Sequence, residues 1–176
     1  KAETGCHIKS RALHLYANVI LVNHALKHVP YSKQHFTLYI LSTLGYPYIM
    51  RTILTTLHSK FIHNSLALPC LVAYCDNDCG ELLIREFTVH EPRESILALL
   101  LAESPDVVAF SVYIWNRQST LALVDLLHTI RPDLRIVLGG PEISFANQDL
   151  FATHPGLTAI VHGEGEIPLK GLLQSW

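Results

Sequence analysis

The stretch PDVVAFSVYIWNRQSTLALVDLLHTIRPDLRIVLGGPEIS, residues 105–144, changes its hydrophobic period twice. DVVAFSVYIW (106–115) is a continuous apolar run, the pattern of a strand buried on both faces within a parallel sheet. RQSTLALVDLLHTI (117–130) then spaces its apolar residues three and four apart, as an amphipathic helix does, and Arg131-Pro132 stops it. RIVLGG (135–140) returns to a short apolar strand. A strand, a crossover helix and a second strand form the repeating unit of a parallel sheet.

The same rhythm extends to both sides. RTILTTL (51–57) is rich in β-branched residues and predicts a strand. SLALPCLVAYC (65–75) predicts a helix with Ser65 near its N-cap and Pro69 in its first turn. After the turn DNDCG, ELLIREFTV (81–89) predicts a second strand, and RESILALLLAE (93–103) a helix introduced by Pro92. Beyond residue 144, NQDLFATH (147–154) predicts a short helix, TAIVHG (158–163) a fifth strand, and EIPLKGLLQSW the opening of another helix. The expected fold class is α/β: a flavodoxin-like (Rossmann-like), doubly wound, five-stranded parallel sheet. In such a sheet ligands bind beyond the carboxyl ends of the strands, at the topological switch point.

Residues 1–49 have a different character, rich in His, Tyr and Leu with Glu3 as the one acidic residue. Leu13, Ala17, Ile20 and His24 follow helical spacing, so this His-rich N-terminal extension is open to two readings, helical or unstructured. The regular pattern begins just after Met50, the single methionine, which sets the expected domain boundary at 1–49 and 50–176. The chain starts at Lys1 and stops at Trp176 within a helix just begun, so the expectation is a piece of a longer protein.

Composition narrows the function classes. Hydrophobic residues make up 49% and charged residues 16% of the 176, a globular balance, and the net charge is −2. That charge gives no electrostatic reason to expect a nucleic acid or an anionic membrane as partner. No stretch offers 18 uninterrupted apolar residues, so no membrane span is expected. Cys70, Cys75 and Cys79 are spaced C-x4-C-x3-C, which matches no common zinc or iron–sulfur pattern. They are read as reduced structural thiols of a cytoplasmic protein, Cys70 and Cys75 lying in an apolar helical run where buried cysteine is common.

Five strand-end loops would then carry function. In LHSKFIHNS (57–65), His58 and His63 are candidate metal ligands, Lys60 a candidate anion contact, and Ser65 opens a helix with an electropositive N-terminus. VHEPRES (89–95) is the ordinary charged entry to a helix. In FSVYIWN (110–116), Ser111 places a hydroxyl in an apolar strand and requires a partner, while Tyr113 and Trp115 either wall a flat ligand or fill the core. The fourth loop, GGPEIS, has the adjacent glycines Gly139 and Gly140 followed by Pro141 and Glu142. One glycine suffices for a turn, so the pair points to a neighbour pressed against the backbone. In the fifth loop, HGEGE (162–166), Gly163 and Gly165 bracket Glu164. No phosphate-loop or dinucleotide fingerprint occurs, and no nucleophile sits in an elbow motif, so the composite is a ligand crevice without a catalytic centre.

Taken in order, SLALPCLVAY, EFTVHEP, PDVVAFSVYIWN, IVLGGPEIS and VHGEGE resemble the N-terminal cobalamin-binding domain of cobalamin-dependent radical S-adenosylmethionine proteins, over about residues 50–176. The resemblance implies cobalamin as cofactor, with its nucleotide tail in the crevice. Domains of that kind carry D-x-H-x-x-G after strand one, S-x-L after strand three and a glycine pair after strand four. Ser111 matches the serine, with Tyr113 where leucine is usual, and Gly139-Gly140 match the glycine pair. The resemblance thus implies cofactor-binding roles for Ser65, Ser111, Tyr113, Gly139, Gly140, Pro141, Glu142, Gly163, Glu164 and Gly165.

The first motif departs from the pattern. Aligning His58 places Thr56 at the aspartate and Phe61 at the glycine; aligning His63 places Phe61 and Leu66 there. Without the aspartate, the expectation is cobalamin with no histidine lower ligand. Cys75 and Cys79 supply only a C-x3-C, not the cysteine triplet of a radical S-adenosylmethionine cluster. S-adenosylmethionine and a 4Fe–4S cluster are therefore expected only in a barrel downstream of residue 176, possible partner of a methyltransferase-type reaction. Two alternatives stay open: a degenerate scaffold that binds no cofactor, and a nucleotide- or flavin-binding module.

Overall fold

The computed structural model describes residues 48–60, 65–145 and 149–176, with backbone alone for Asp76 and Asn77. The chain divides into two compact units, Lys1–Ile49 and Met50–Trp176, and the second holds the whole sheet. The extension read as helical or unstructured lies, up to residue 47, outside the described residues.

Strands β1 (Arg51–His58), β2 (Glu81–Thr88), β3 (Val107–Ser111), β4 (Arg135–Gly139) and β5 (Leu157–Ile160) alternate with helices α1 (Ala67–Cys75), α2 (Arg93–Ala102), α3 (Arg117–Ile130), α4 (Leu150–Thr153) and α5 (Glu166–Gln174). The sheet is parallel throughout, in the order β2-β1-β3-β4-β5. This is the expected flavodoxin-like winding, with its switch point between β1 and β3, where the chain first winds to one side and then to the other.

Alternation along the strands sorts the core into two layers. Ile53, Leu57, Val108, Phe110, Ile136 and Leu138 face α2 and α3, where Ile96, Leu100, Leu123 and Leu127 meet them. Leu54, Val107, Ala109, Val137 and Val161 face the opposite way, toward Leu68 and Cys75 of α1 and Leu169 and Leu173 of α5. β1 is buried from Thr52 to His58 and β3 along its whole length, which is why both read as unbroken apolar or β-branched runs.

Several elements are shorter than the sequence reading: β5 ends at Ile160, not at residue 163, and α4 spans only Leu150–Thr153. β3 ends at Ser111, not at residue 115. Val112 still donates to the Gly139 carbonyl, but the next peptide N–H, of Tyr113, is taken by the Asn116 side chain at 2.8 Å, which turns the chain out of the sheet. Cys70 is exposed on α1, while Cys75 and Cys79 are buried. A nearly all-apolar helix offers no polar face to betray which side meets solvent, so the sequence pattern could not separate Cys70 from Cys75.

Candidate cofactor-binding site

Strand register builds a trough at the carboxyl ends. Leu54, Ala109 and Val137 lie abreast on β1, β3 and β4, and one step further along Ser111 is abreast of Gly139. Side chains two apart on a strand share a face, so Ala109, Ser111 and Gly139 form a patch of small residues on the α1/α5 side, flanked by Leu54, Val137 and Val161. Leu68 and Leu71 of α1 and Leu169 of α5 close it from above, leaving a cavity of about 490 Å³. Its mouth is framed by the loop after β4 (Gly140, Pro141, Ser144, Phe145) and the loop after β5 (Gly163, Glu164, Gly165). The size suits a small organic group, and the lining is apolar apart from a few polar positions.

The two central glycines have different physical reasons. Gly140 has φ +102°, and a Cβ there would stand 2.6 Å from the Val112 carbonyl oxygen. Protein backbone alone therefore requires glycine at 140. Gly139 has no such conflict: a Cβ would meet Val161 Cβ at 3.6 Å, an ordinary contact. The space that glycine leaves at 139 belongs to the cavity.

Ser111 has its backbone fixed and its hydroxyl free. Its carbonyl accepts from Thr56 Oγ1 at 2.9 Å and lies 3.4 Å from Asn116 Nδ2. The residue is 9% exposed, lines the cavity, and makes no hydrogen bond through Oγ to any described residue. No described residue supplies that hydroxyl with a partner, which leaves it open to a ligand atom in the trough.

Neighbouring groups hold the walls. Ser144 Oγ donates to the Gly140 carbonyl at 3.0 Å and accepts the Gly163 N–H at 3.1 Å, bolting the two mouth loops together. The sequence singled out the glycines of both loops but passed over Ser144; only the fold brings residues 140, 144 and 163 within reach of one hydroxyl. Tyr113 stacks on Trp115 with ring centroids 4.7 Å apart and planes 5° apart, and Trp115 Nε1 donates to the Leu57 carbonyl. Tyr113 lines the cavity, and Trp115, about half exposed, backs it from outside the lining, so neither ring fills the core.

Eight of the ten residues singled out above line the cavity: Ser111, Tyr113, Gly139, Gly140, Pro141, Gly163, Glu164 and Gly165. Ser65 and Glu142 do not. The Ser65 N–H donates to Glu86 Oε1 at 2.9 Å, and Glu142 pairs with Arg117 at 3.2 Å on the other side of its loop. Each carries a polar group usable elsewhere, and sequence spacing does not show which way a loop side chain turns. The apolar walls were missed because Leu54, Ala109 and Val137 read as ordinary strand core.

His58 is buried at the end of β1, and its Nε2 lies 3.2 Å from the same Glu86 oxygen. Glu86 thereby joins His58 to the start of the α1 segment. His63 lies outside the described residues. Among the described residues, no group of three or more His, Cys, Asp or Glu side chains is placed to hold a metal ion. No helix of the described residues is long and apolar enough to cross a membrane.

Comparison with known proteins gives the family. The family model for the B12 binding domain matches residues 53–173. The chain belongs to the B12-binding domain family. Cobalamin is accordingly its cofactor, and the trough with its free hydroxyl fits an organic tail of that cofactor. The resemblance drawn from the sequence is borne out by relatives as well. The chain is 39% identical over 69 residues to 2-(S-pantetheinyl)-carbapenam-3-carboxylate methyltransferase of Streptantibioticus cattleyicolor, and 35% identical over the same length to the cobalamin-dependent radical SAM methyltransferase TokK of Streptomyces tokunonensis. Both matches cover 39% of this chain and 10% of the relative, so the chain spans only a small part of those proteins. Among solved structures, it resembles the cobalamin-dependent S-adenosylmethionine radical enzyme OxsB, with TM-score 0.63 and 23% identity, over 72% of this chain and 18% of that one. That likeness shows a shared fold.

Proposed function

We propose that this B12-binding domain holds cobalamin with its nucleotide tail in the trough over Ala109, Ser111 and Gly139, and presents the corrin ring to a radical S-adenosylmethionine barrel of the same protein. Bound there, the corrinoid supplies cobalt chemistry for a methyl transfer whose S-adenosylmethionine and 4Fe–4S cluster belong to that barrel. The observation that carries the binding mode is the Ser111 hydroxyl, without a partner among the described residues and opening into a largely apolar cavity. The names of the two methyltransferase relatives support the reaction class.

In this reading residues 50–176 are the cofactor domain and the catalytic residues lie in the barrel. Ser111 orients the tail, Gly139 leaves it room, Tyr113, backed by Trp115, bounds its mouth, and Ser144 keeps Gly140 and Gly163 in place. Pro141, Glu164 and Gly165 complete the rim. In this reading His58 is a structural residue and not the lower ligand of cobalt, supported by the Glu86 contact of its Nε2 and by its place outside the cavity lining. A cytoplasmic setting agrees with the free thiols of Cys75 and Cys79.

The test is a titration of the purified chain with hydroxocobalamin, followed by absorbance and calorimetry, beside Gly139→Leu. Saturable binding that the leucine abolishes, in a variant that melts like the parent, is the expected result. Equal binding by both proteins would place the cofactor elsewhere.

A further inference from the structure

The interior of the trough is selective in its polarity. Its floor is Leu54, Ala109 and Val137, and its roof Leu68, Leu71 and Leu169, none of which can form a hydrogen bond through its side chain. The strand amides beneath are committed to the ladders of a parallel sheet, and the Gly139 carbonyl takes the Val112 N–H at 2.7 Å. Ser144 Oγ already serves Gly140 and Gly163. Glu164 is exposed, Glu166 is the half-buried first residue of α5, and both line the cavity outside the strands. Among the described residues, the free polar group on the strand floor is the Ser111 hydroxyl; Tyr113, Glu164 and Glu166 bring theirs to the lining from the loops and from α5.

Natural corrinoids differ in the base at the end of their nucleotide tail. Dimethylbenzimidazole has one free ring nitrogen and two methyl groups. Adenine has several ring nitrogens and an exocyclic amine. A base inserted here leaves water, and every polar atom that finds no partner costs binding. Dimethylbenzimidazole needs one partner, which Ser111 provides, and its methyl groups meet apolar walls. Adenine lying on the strand floor would find one side-chain partner there for its amine and several nitrogens.

We infer that the trough selects corrinoids by their lower base, accepting a benzimidazole and discriminating against a purine. This rests on the tail-in-trough reading above. The discrimination expected from one or two unpaired polar groups is about tenfold or more.

The experiment is equilibrium dialysis of the full chain against cobalamin, its adenine-based analogue and cobinamide, which has no base. All three are kept as dicyano forms in excess cyanide, so that neither base is on cobalt and only the fit of the base is read. The expected result is cobalamin bound about tenfold or more tighter than the adenine analogue, with the analogue at or near cobinamide. Ser111→Ala should bring cobalamin toward cobinamide while leaving cobinamide itself unchanged. Cobalamin and the adenine analogue bound equally, both tighter than cobinamide, would overturn the selectivity and keep the tail in the trough. All three bound equally would overturn both.

Discussion

Asn116 Nδ2 donates to the Leu57 carbonyl at 2.9 Å while Asn116 Oδ1 accepts the Tyr113 N–H at 2.8 Å, so one fully buried side chain ties the end of β1 to the turn that leaves β3. These are the two strands of the switch point, and Ser111 is the last residue of β3. Replacing Asn116 by Ala leaves the Tyr113 N–H without its partner, at about 1–3 kcal/mol, and leaves the Leu57 carbonyl with Trp115 Nε1 as its remaining side-chain donor. Asn116→Ala should therefore melt well below the parent, and Asn116→Asp should recover only the Tyr113 contact. Thermal unfolding followed by circular dichroism reads both.

The glycine pair gives opposite outcomes for the same substitution. Gly140→Ala meets a positive φ and a backbone oxygen 2.6 Å from its Cβ, so it should cost about 2–4 kcal/mol in stability. Gly139→Ala should fold normally, because its Cβ would meet only Val161 at 3.6 Å, yet weaken cobalamin binding by narrowing the trough. Melting temperatures beside cobalamin affinities separate the two; a Gly139→Ala protein that binds as tightly as the parent would remove Gly139 from the site.

Burial of Cys75 in the α1/α5 layer, with a further contribution from Cys79 beside it, pushes its thiol from an ordinary 9.0 up to about 11. At neutral pH it is a neutral thiol, and alkylation of the native protein should modify Cys70 first and leave Cys75 untouched. The sign for stability follows. The unfolded thiol ionises near 9 and the folded one only near 11, so Cys75 stabilises the fold fully below pH 9 and loses that contribution as pH climbs through 11. Cys75→Ala should flatten the alkaline limb of the melting profile between those values.

His58 and the Ser65 N–H share Glu86 Oε1, at 3.2 and 2.9 Å. If this is a structural tether, Glu86→Ala should loosen the segment entering α1 and speed amide exchange near Ser65. The absorbance spectrum of bound cobalamin should be the same in the parent and in His58→Ala. A spectral change specific to His58→Ala would reinstate that histidine as a cobalt ligand.

The sheet was legible because each buried strand needs an apolar or β-branched run and each crossover helix a 3.6-residue period; 105–144 shows both in succession. The glycines, Ser111 and Tyr113 were legible because they break those patterns. Leu54, Ala109 and Val137 were not, since a side chain that lines a cavity and one that fills a core obey the same hydrophobic rule. Ser65 and Glu142 stand outside the lining for a reason no sequence pattern shows: the fold pairs the Ser65 N–H with Glu86 and the Glu142 carboxylate with Arg117.

The order of residues along the chain by itself determined the winding of the sheet, and the carboxyl edge at which a ligand must bind, because both follow from local periodicity and the handedness of crossovers. Only the tertiary structure decided that Gly140 serves the backbone of Val112 and Gly139 the cavity, and that the Ser111 hydroxyl has no partner among the described residues. Those distinctions depend on distances between strands far apart in sequence, and no local pattern encodes them.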